Sequence, residues 1–257
     1  MILRRVIEHF KKQEWTAIVL DFVIVVAGVF VGMQVSNWNA ARIERRAAIA
    51  YVERIREDLA ENRRDLDRRN AYYAQVKAHA LAALSAFDEP PEALGEEFLI
   101  DAYQASQIIS RVVDRSTYSE ILSVGAMNSI PNLAVRRRIA NFYQNAEAIE
   151  AILNYIPPYR ENLRRLMPYP VQEAMLARCD DVSVIDERGA PSNRLPEQCE
   201  LDLPPGDVAI AVAAIFDAEL QRDLVRRIAD LDTKRINNQR LSDRAGALDK
   251  YLAETEL

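Results

Sequence analysis

The chain has 257 residues, 33 Lys plus Arg against 39 Asp plus Glu, a formal charge of -6, and 49% hydrophobic residues. That is enough apolar material for a buried core, which excludes a disordered chain, a collagen-like chain and a disulfide-held mini-protein, and the mild acidity leaves no electrostatic footprint for nucleic acid. With only 7 Gly and 11 Pro, the expected fold class is all-α, an N-terminal transmembrane helix continuing into a long antiparallel helical hairpin or bundle.

Residues 1–14 carry Arg4, Arg5, Lys11 and Lys12, with Ile2, Leu3, Val6, Ile7 and Phe10 on the apolar side of a helical projection. This pattern predicts a basic amphipathic tail lying along the inner membrane surface. Residues 16–35 read TAIVLDFVIVVAGVFVGMQV, an apolar run with one charge. At about 1.5 Å per residue it reaches roughly 30 Å, the hydrocarbon thickness of a bilayer. The chain's two tryptophans, Trp15 and Trp38, flank the run where amphipathic rings settle at the headgroups, so a span is assigned to 15–38. No small-x-small cleavage site follows it, which favours an anchor over a cleaved signal.

Orientation rests on asymmetry, because Arg42, Arg45, Arg46 and Arg54 after the span balance the four basic residues before it. A short basic tail resists translocation while a large following domain does not, so the N-terminus is expected inside. The excess of Arg over Lys suggests a GC-rich bacterial genome, hence an inner membrane and a periplasmic domain over 39–257. All prolines fall between Pro90 and Pro205, leaving both flanks free to form long helices. Ile49, Val52, Ile55, Leu59, Leu66, Tyr73, Val76, Ala80 and Phe87 recur in steps near 3 and 4, which predicts a helix over 39–87.

Compact middle helices are predicted within 96–177, at 96–113, 116–123, 132–155, 159–166 and 170–177, with no strand. Cys179 and Cys199 bracket a polar segment rich in turn residues, within an expected loop over 178–206. They are read as a disulfide candidate, with two free thiols as the alternative. The last long helix is predicted over 207–254.

Residues 23–59, VIVVAGVFVGMQVSNWNAARIERRAAIAYVERIREDL, and residues 117–144, TYSEILSVGAMNSIPNLAVRRRIANFYQ, resemble an uncharacterised bacterial family of single-span membrane proteins. Its pattern has a Gln-Val-x-Asn-Trp-Asn-like end to the span and a Tyr-x-x-Leu-x-x-x-Gly turn. This chain departs from it at Pro131 and at Phe142-Tyr143. The resemblance implies a membrane protein with a helical domain and carries no activity.

Asp21 is the costly residue in the span, since insertion scales charge roughly 2.5 to 3.5 kcal/mol for Asp near the centre. It shares a helix face with Gly28 and Gly32, and Ser36 extends the small-residue row, so this face is assigned to helix packing. Asp21 reads either as a hydrogen-bonded acid that fixes association or as a proton-accepting one. Tyr155, Tyr159, Arg160 and Arg164 form a candidate anion pocket, because Arg forks and Tyr hydroxyls suit carboxylates; the plainer alternative is a solvated helix face. His9 and His79 have no metal-ligand spacing around them, no serine sits in a nucleophile elbow, and no Gly-rich phosphate loop is present. No cofactor and no intrinsic enzymatic activity are expected. The expected partners are the lipid bilayer and either further copies of the chain or a larger membrane complex. The function classes are an accessory or structural subunit, a proton-coupled stator-like subunit, or a periplasmic ligand sensor.

Overall fold

A computed structural model describes residues 15–110, 112–187 and 189–255. The expected basic tail over 1–14 lies outside them. Helix α1 runs unbroken from Trp15 to Ala86, so the span and the first long helix are one element. No Gly or Pro interrupts it between Trp38 and Ala86, and nothing in that stretch forces a kink. Packing begins at Ala48, the first buried residue among those described; over 18–46 the helix is exposed.

After α1 the chain forms α2 (Glu96–Ala105), α3 (Ser116–Ser123), α4 (Leu133–Leu153), α5 (Pro158–Leu166) and α6 (Tyr169–Arg178). Their starts follow local chemistry. Asn132 caps α4 by accepting from Ala134 N and Val135 N at 2.9 and 3.3 Å, and Pro158 occupies the first turn of α5, where a missing N–H is harmless. Helix α7 (Pro205–Asp217) and helix α8 (Gln221–Glu254) complete the chain. Helix α8 runs antiparallel along α1, tied by Arg56–Asp249 at 2.9 Å and Lys77–Asp232 at 2.6 Å. Gly246 sits where the Arg63 guanidinium lies against α8; an added Cβ would stand 3.1 Å from its Cζ.

Three sequence expectations are corrected. The helix assigned to 96–113 ends at Ala105, where Ser106 caps it by donating from Oγ to the Tyr103 carbonyl at 2.6 Å. The helix assigned to 207–254 is two helices, split at residues 218–220, with Glu219 at φ 50°. Breaking there buries Leu220 and lets α7 set Phe216 against Phe87 and Phe98, with ring centroids 4.8 and 5.7 Å away. The segment 178–206 holds an antiparallel hairpin, β1 (Val182–Ile185) with β2 (Pro191–Arg194), in register Val182 to Arg194. Its turn closes through Asp186, which accepts from Ala190 N at 2.8 Å, and through Gly189 at φ 82°. Short strands with a mostly exposed pattern carry little apolar alternation, so no strand signal shows in the sequence.

Two apolar clusters lie along the α1–α8 pair. The one nearer the span gathers Val52, Ile55, Leu59 and Leu66 with Ile121, Ile139, Leu241 and Leu248; the far one gathers Tyr72, Val76 and Ala80 with Leu99, Leu163, Val212 and Leu224. On α1 they are separated by Arg69, and on α8 by Lys234 and Asn238, all buried.

Candidate functional site

The boundary between the clusters is a buried layer dominated by cations. The chain leaving α2 crosses the molecule here. Tyr73 donates to the Ile109 carbonyl at 3.0 Å, and Asn62 holds Asp114 at both its N–H and C=O, at 2.7 and 2.8 Å. Glu150, on α4, accepts from Val113 N and pairs with Arg115.

A helix ends with carbonyls that lack intrahelical partners and with partial negative charge, and α2 ends inside this layer. Arg227, fully buried, donates from Nε to Ala105 O at 2.9 Å and from Nη2 to Gln107 O at 2.6 Å. Arg160 reaches Ser106 O at 3.0 Å, and Arg164 reaches Ser106 Oγ, the Tyr103 hydroxyl and Gln107 Oε1 at 3.2, 2.9 and 3.0 Å. The Arg164 guanidinium also stacks 4.0 Å from the Tyr103 ring centroid. One turn along α8 beyond Leu231, Lys234 donates to Leu153 O and Tyr155 O at 2.5 and 3.1 Å, gathering the end of α4 as the arginines gather the end of α2.

These contacts correct the expected anion pocket. The N–H groups of Arg160 and Arg164 go to the end of α2. Tyr159 is buried and donates to Ala102 O at 2.9 Å, while Tyr155 is exposed and joins the layer only through its carbonyl. The chemistry read from the sequence, forks seeking oxygen acceptors, is present; the acceptors are the chain's own carbonyls. Arg227 and Lys234 carry no comparable pattern in the sequence, because each is one cation among many in its helix, next to Arg226 and Arg235.

Burial drives the electrostatics of the layer. It pushes the Arg227 guanidinium down to about 10 and the Lys234 ammonium down to about 8, the neighbouring Arg227 charge adding to the effect on Lys234. A base whose folded value lies below its unfolded one releases its proton first in the folded state, so stability rises with pH between the two values. For Lys234 that window opens at about 8 and closes near 10.5. Unfolding free energy should therefore rise by about 2 kcal/mol between roughly pH 7.5 and 9.5, and Lys234→Met should abolish most of the rise. Denaturant titrations of both proteins across that range check it; a flat or falling profile in the parent chain would refute it. Above about pH 10 the buried Tyr72, Tyr73, Tyr143 and Tyr159, all pushed upward by burial, act oppositely, because the unfolded chain then loses phenolic protons first.

Cys179 and Cys199 are disulfide-bonded, with Cα atoms 5.3 Å apart. The bridge ties the end of α6 to the segment entering α7. There Glu96, the first residue of α2, accepts from the backbone N–H groups of Leu201, Asp202 and Leu203, which hold its carboxyl below the usual range. His79 is partly exposed and held by Asp101, with Nδ1 2.6 Å from Oδ1.

The helix from Ile18 onward is long and apolar enough to cross a membrane, and its apolar stretch is exposed. Trp15 and Trp38 lie exposed at its ends, and the Arg42 guanidinium sits 5.9 Å from the Trp38 ring. Gly28 and Gly32 have open space where a Cβ would stand. Asp21 and Ser36 are exposed on the same helix, seven residues before Gly28 and four after Gly32.

No protein-family model matches the chain, and no curated protein or solved structure matches it significantly. The family resemblance therefore rests on the two segments that carry it.

Proposed function

We propose that this protein is a membrane-anchored accessory or structural subunit. It is rooted in a bacterial inner membrane with its N-terminus cytoplasmic, and it presents its helical domain to the periplasm. The observation that carries the reading is the contrast along α1: the helix is packed on other elements from Ala48 onward, while residues 18–46, with an acid and a small-residue row, are exposed. An Asp facing lipid is costly, and a Gly-x-x-x-Gly row lets a second backbone approach closely, so this face belongs against another transmembrane helix, from a further copy or from a larger complex. A disulfide in the domain agrees with an oxidising compartment.

Gly32→Leu should weaken this association by roughly tenfold, since a branched side chain fills the groove between the backbones. Oligomer mass in detergent and recovery of partners from native membranes read it out. Unchanged values in both would remove the association. A membrane-impermeant thiol reagent applied to intact cells should label Cys179 and Cys199 only after reduction; labelling that appears only on lysis would place the domain in the cytoplasm.

Asp21 supports a second reading, a proton-coupled stator-like subunit, because an intramembrane carboxyl is the group such a machine needs. Asp21→Asn keeps the shape and cannot titrate. An accessory subunit keeps both assembly and cellular phenotype with this change. Intact assembly with the phenotype of a deletion would favour proton coupling.

A further inference from the structure

An open cleft of about 570 Å³ lies between α1, α2 and the segment that follows β2, lined by His79, Asp101, Gln104, Ile100 and the run from Pro196 to Glu200, with Glu96 and Glu97 at its edge. It stands about 60 Å along α1 from Trp38, far from the span. Glu97, Ile100, Asp101 and Gln104 are spaced i, i+3, i+4 and i+7, so α2 turns one face toward it.

The lining is acceptor-rich. It carries five carboxylates and no Lys or Arg. His79 is fixed by Asp101 through Nδ1, which in the neutral ring leaves Nε2 as an acceptor. Glu197 holds Arg194 at 3.0 Å, whereas Glu97 and Glu200 make no hydrogen bond or ion pair among the described residues. The decisive group is Gln104. The residue is 1% exposed, its Nε2 donates to the Cys179 carbonyl at 2.7 Å, and its Oε1 is buried with no partner. Since the bond to Cys179 O fixes the amide's orientation, Oε1 is an acceptor left over on a residue that lines the cleft, and buried acceptors are rarely left unmatched.

A ligand that satisfies such a lining must bring both positive charge and several N–H donors. A bare metal ion fits poorly: among the described residues no three His, Cys, Asp or Glu side chains are placed to hold one. Ile100, Pro196 and the Cys199 side of the disulfide give apolar wall between the polar groups, which suits methylenes. We propose that this cleft binds a linear aliphatic polyamine, with ammonium groups at Glu97, Glu200 and the Gln104–His79 floor and the methylenes along Ile100 and Pro196. The site is independent of how the span associates.

The test is calorimetric titration of the full-length protein in detergent with spermidine, n-butylamine, magnesium and calcium, alongside the double variant Glu97→Gln, Glu200→Gln. Both side chains are exposed, so the fold survives the change. Saturable one-to-one binding of spermidine, weakened at least about tenfold in the double variant and unaltered by Glu147→Gln with Glu254→Gln elsewhere on the surface, is the expected result. Absence of binding, equal loss in both double variants, butylamine binding as tightly as spermidine, or a divalent cation binding more tightly would each overturn it.

Discussion

Arg227→Ala should lower the unfolding free energy of the helical domain by about 4 kcal/mol, the largest loss expected from a single polar substitution in this protein. The guanidinium lies at the joint between the two apolar clusters and answers the carbonyls of Ala105 and Gln107, which have no solvent to turn to once it is gone. Each stranded acceptor costs about 1–3 kcal/mol, and the deleted side chain leaves a void. Relief from burying a charge offsets part of this, which is why the sum stays near 4 rather than higher. Arg227→Lys should recover little, since one ammonium cannot span two carbonyls in the fork geometry. Arg226→Ala, one residue earlier and exposed, should change stability by less than about 0.5 kcal/mol. Denaturant unfolding followed by circular dichroism measures all three. A loss at Arg227 no greater than at Arg226 would mean that the layer does not hold the clusters together.

Removing the disulfide ranks second. The bridge closes a segment of 20 residues in sequence, for which the chain-entropy cost of opening is about 3 kcal/mol. Cys179→Ala with Cys199→Ala should therefore destabilise the domain by about that amount. The damage should concentrate where the bridged segment is held: hydrogen exchange at the amides of Leu201 and Leu203, protected by Glu96, should accelerate more than exchange in α4. Uniform acceleration across the domain would contradict this.

What the sequence made legible follows from which forces have a periodic signature. Apolar residues recurring every 3 or 4 positions marked α1 and α8, and Pro131, Pro157 and Pro158 bounded α4 closely, because both signals are local. The pairing of Cys179 with Cys199 was likewise readable, from the turn-rich segment between them. The buried layer was not. Whether Arg160, Arg164 and Arg227 meet a ligand or a helix end depends on where α2 stops, and that is fixed by Ser106 and by contacts from distant parts of the chain. The split at Glu219 is invisible for a similar reason: nothing in residues 207–254 is a strong breaker, and the turn exists because Phe216 has Phe87 and Phe98 to meet. The acceptor-rich cleft needs three separate segments, and only its α2 face is visible as a spacing.

The unbroken course of α1 makes it a lever. Between Trp38 and Ala86 it is roughly 70 Å of helix without a hinge, and only the stretch from Ala48 is braced by other elements. A tilt of about 10° at Trp38 therefore sweeps the far end, where Phe87 and the cleft beyond His79 lie, through roughly 12 Å. Rotation of the span turns the whole domain with it, because no loop intervenes to absorb the twist. Whatever meets the exposed stretch that carries Asp21, Gly28 and Gly32 would thus set where the distal end points, and a load on the distal end would return along the same rod to that stretch.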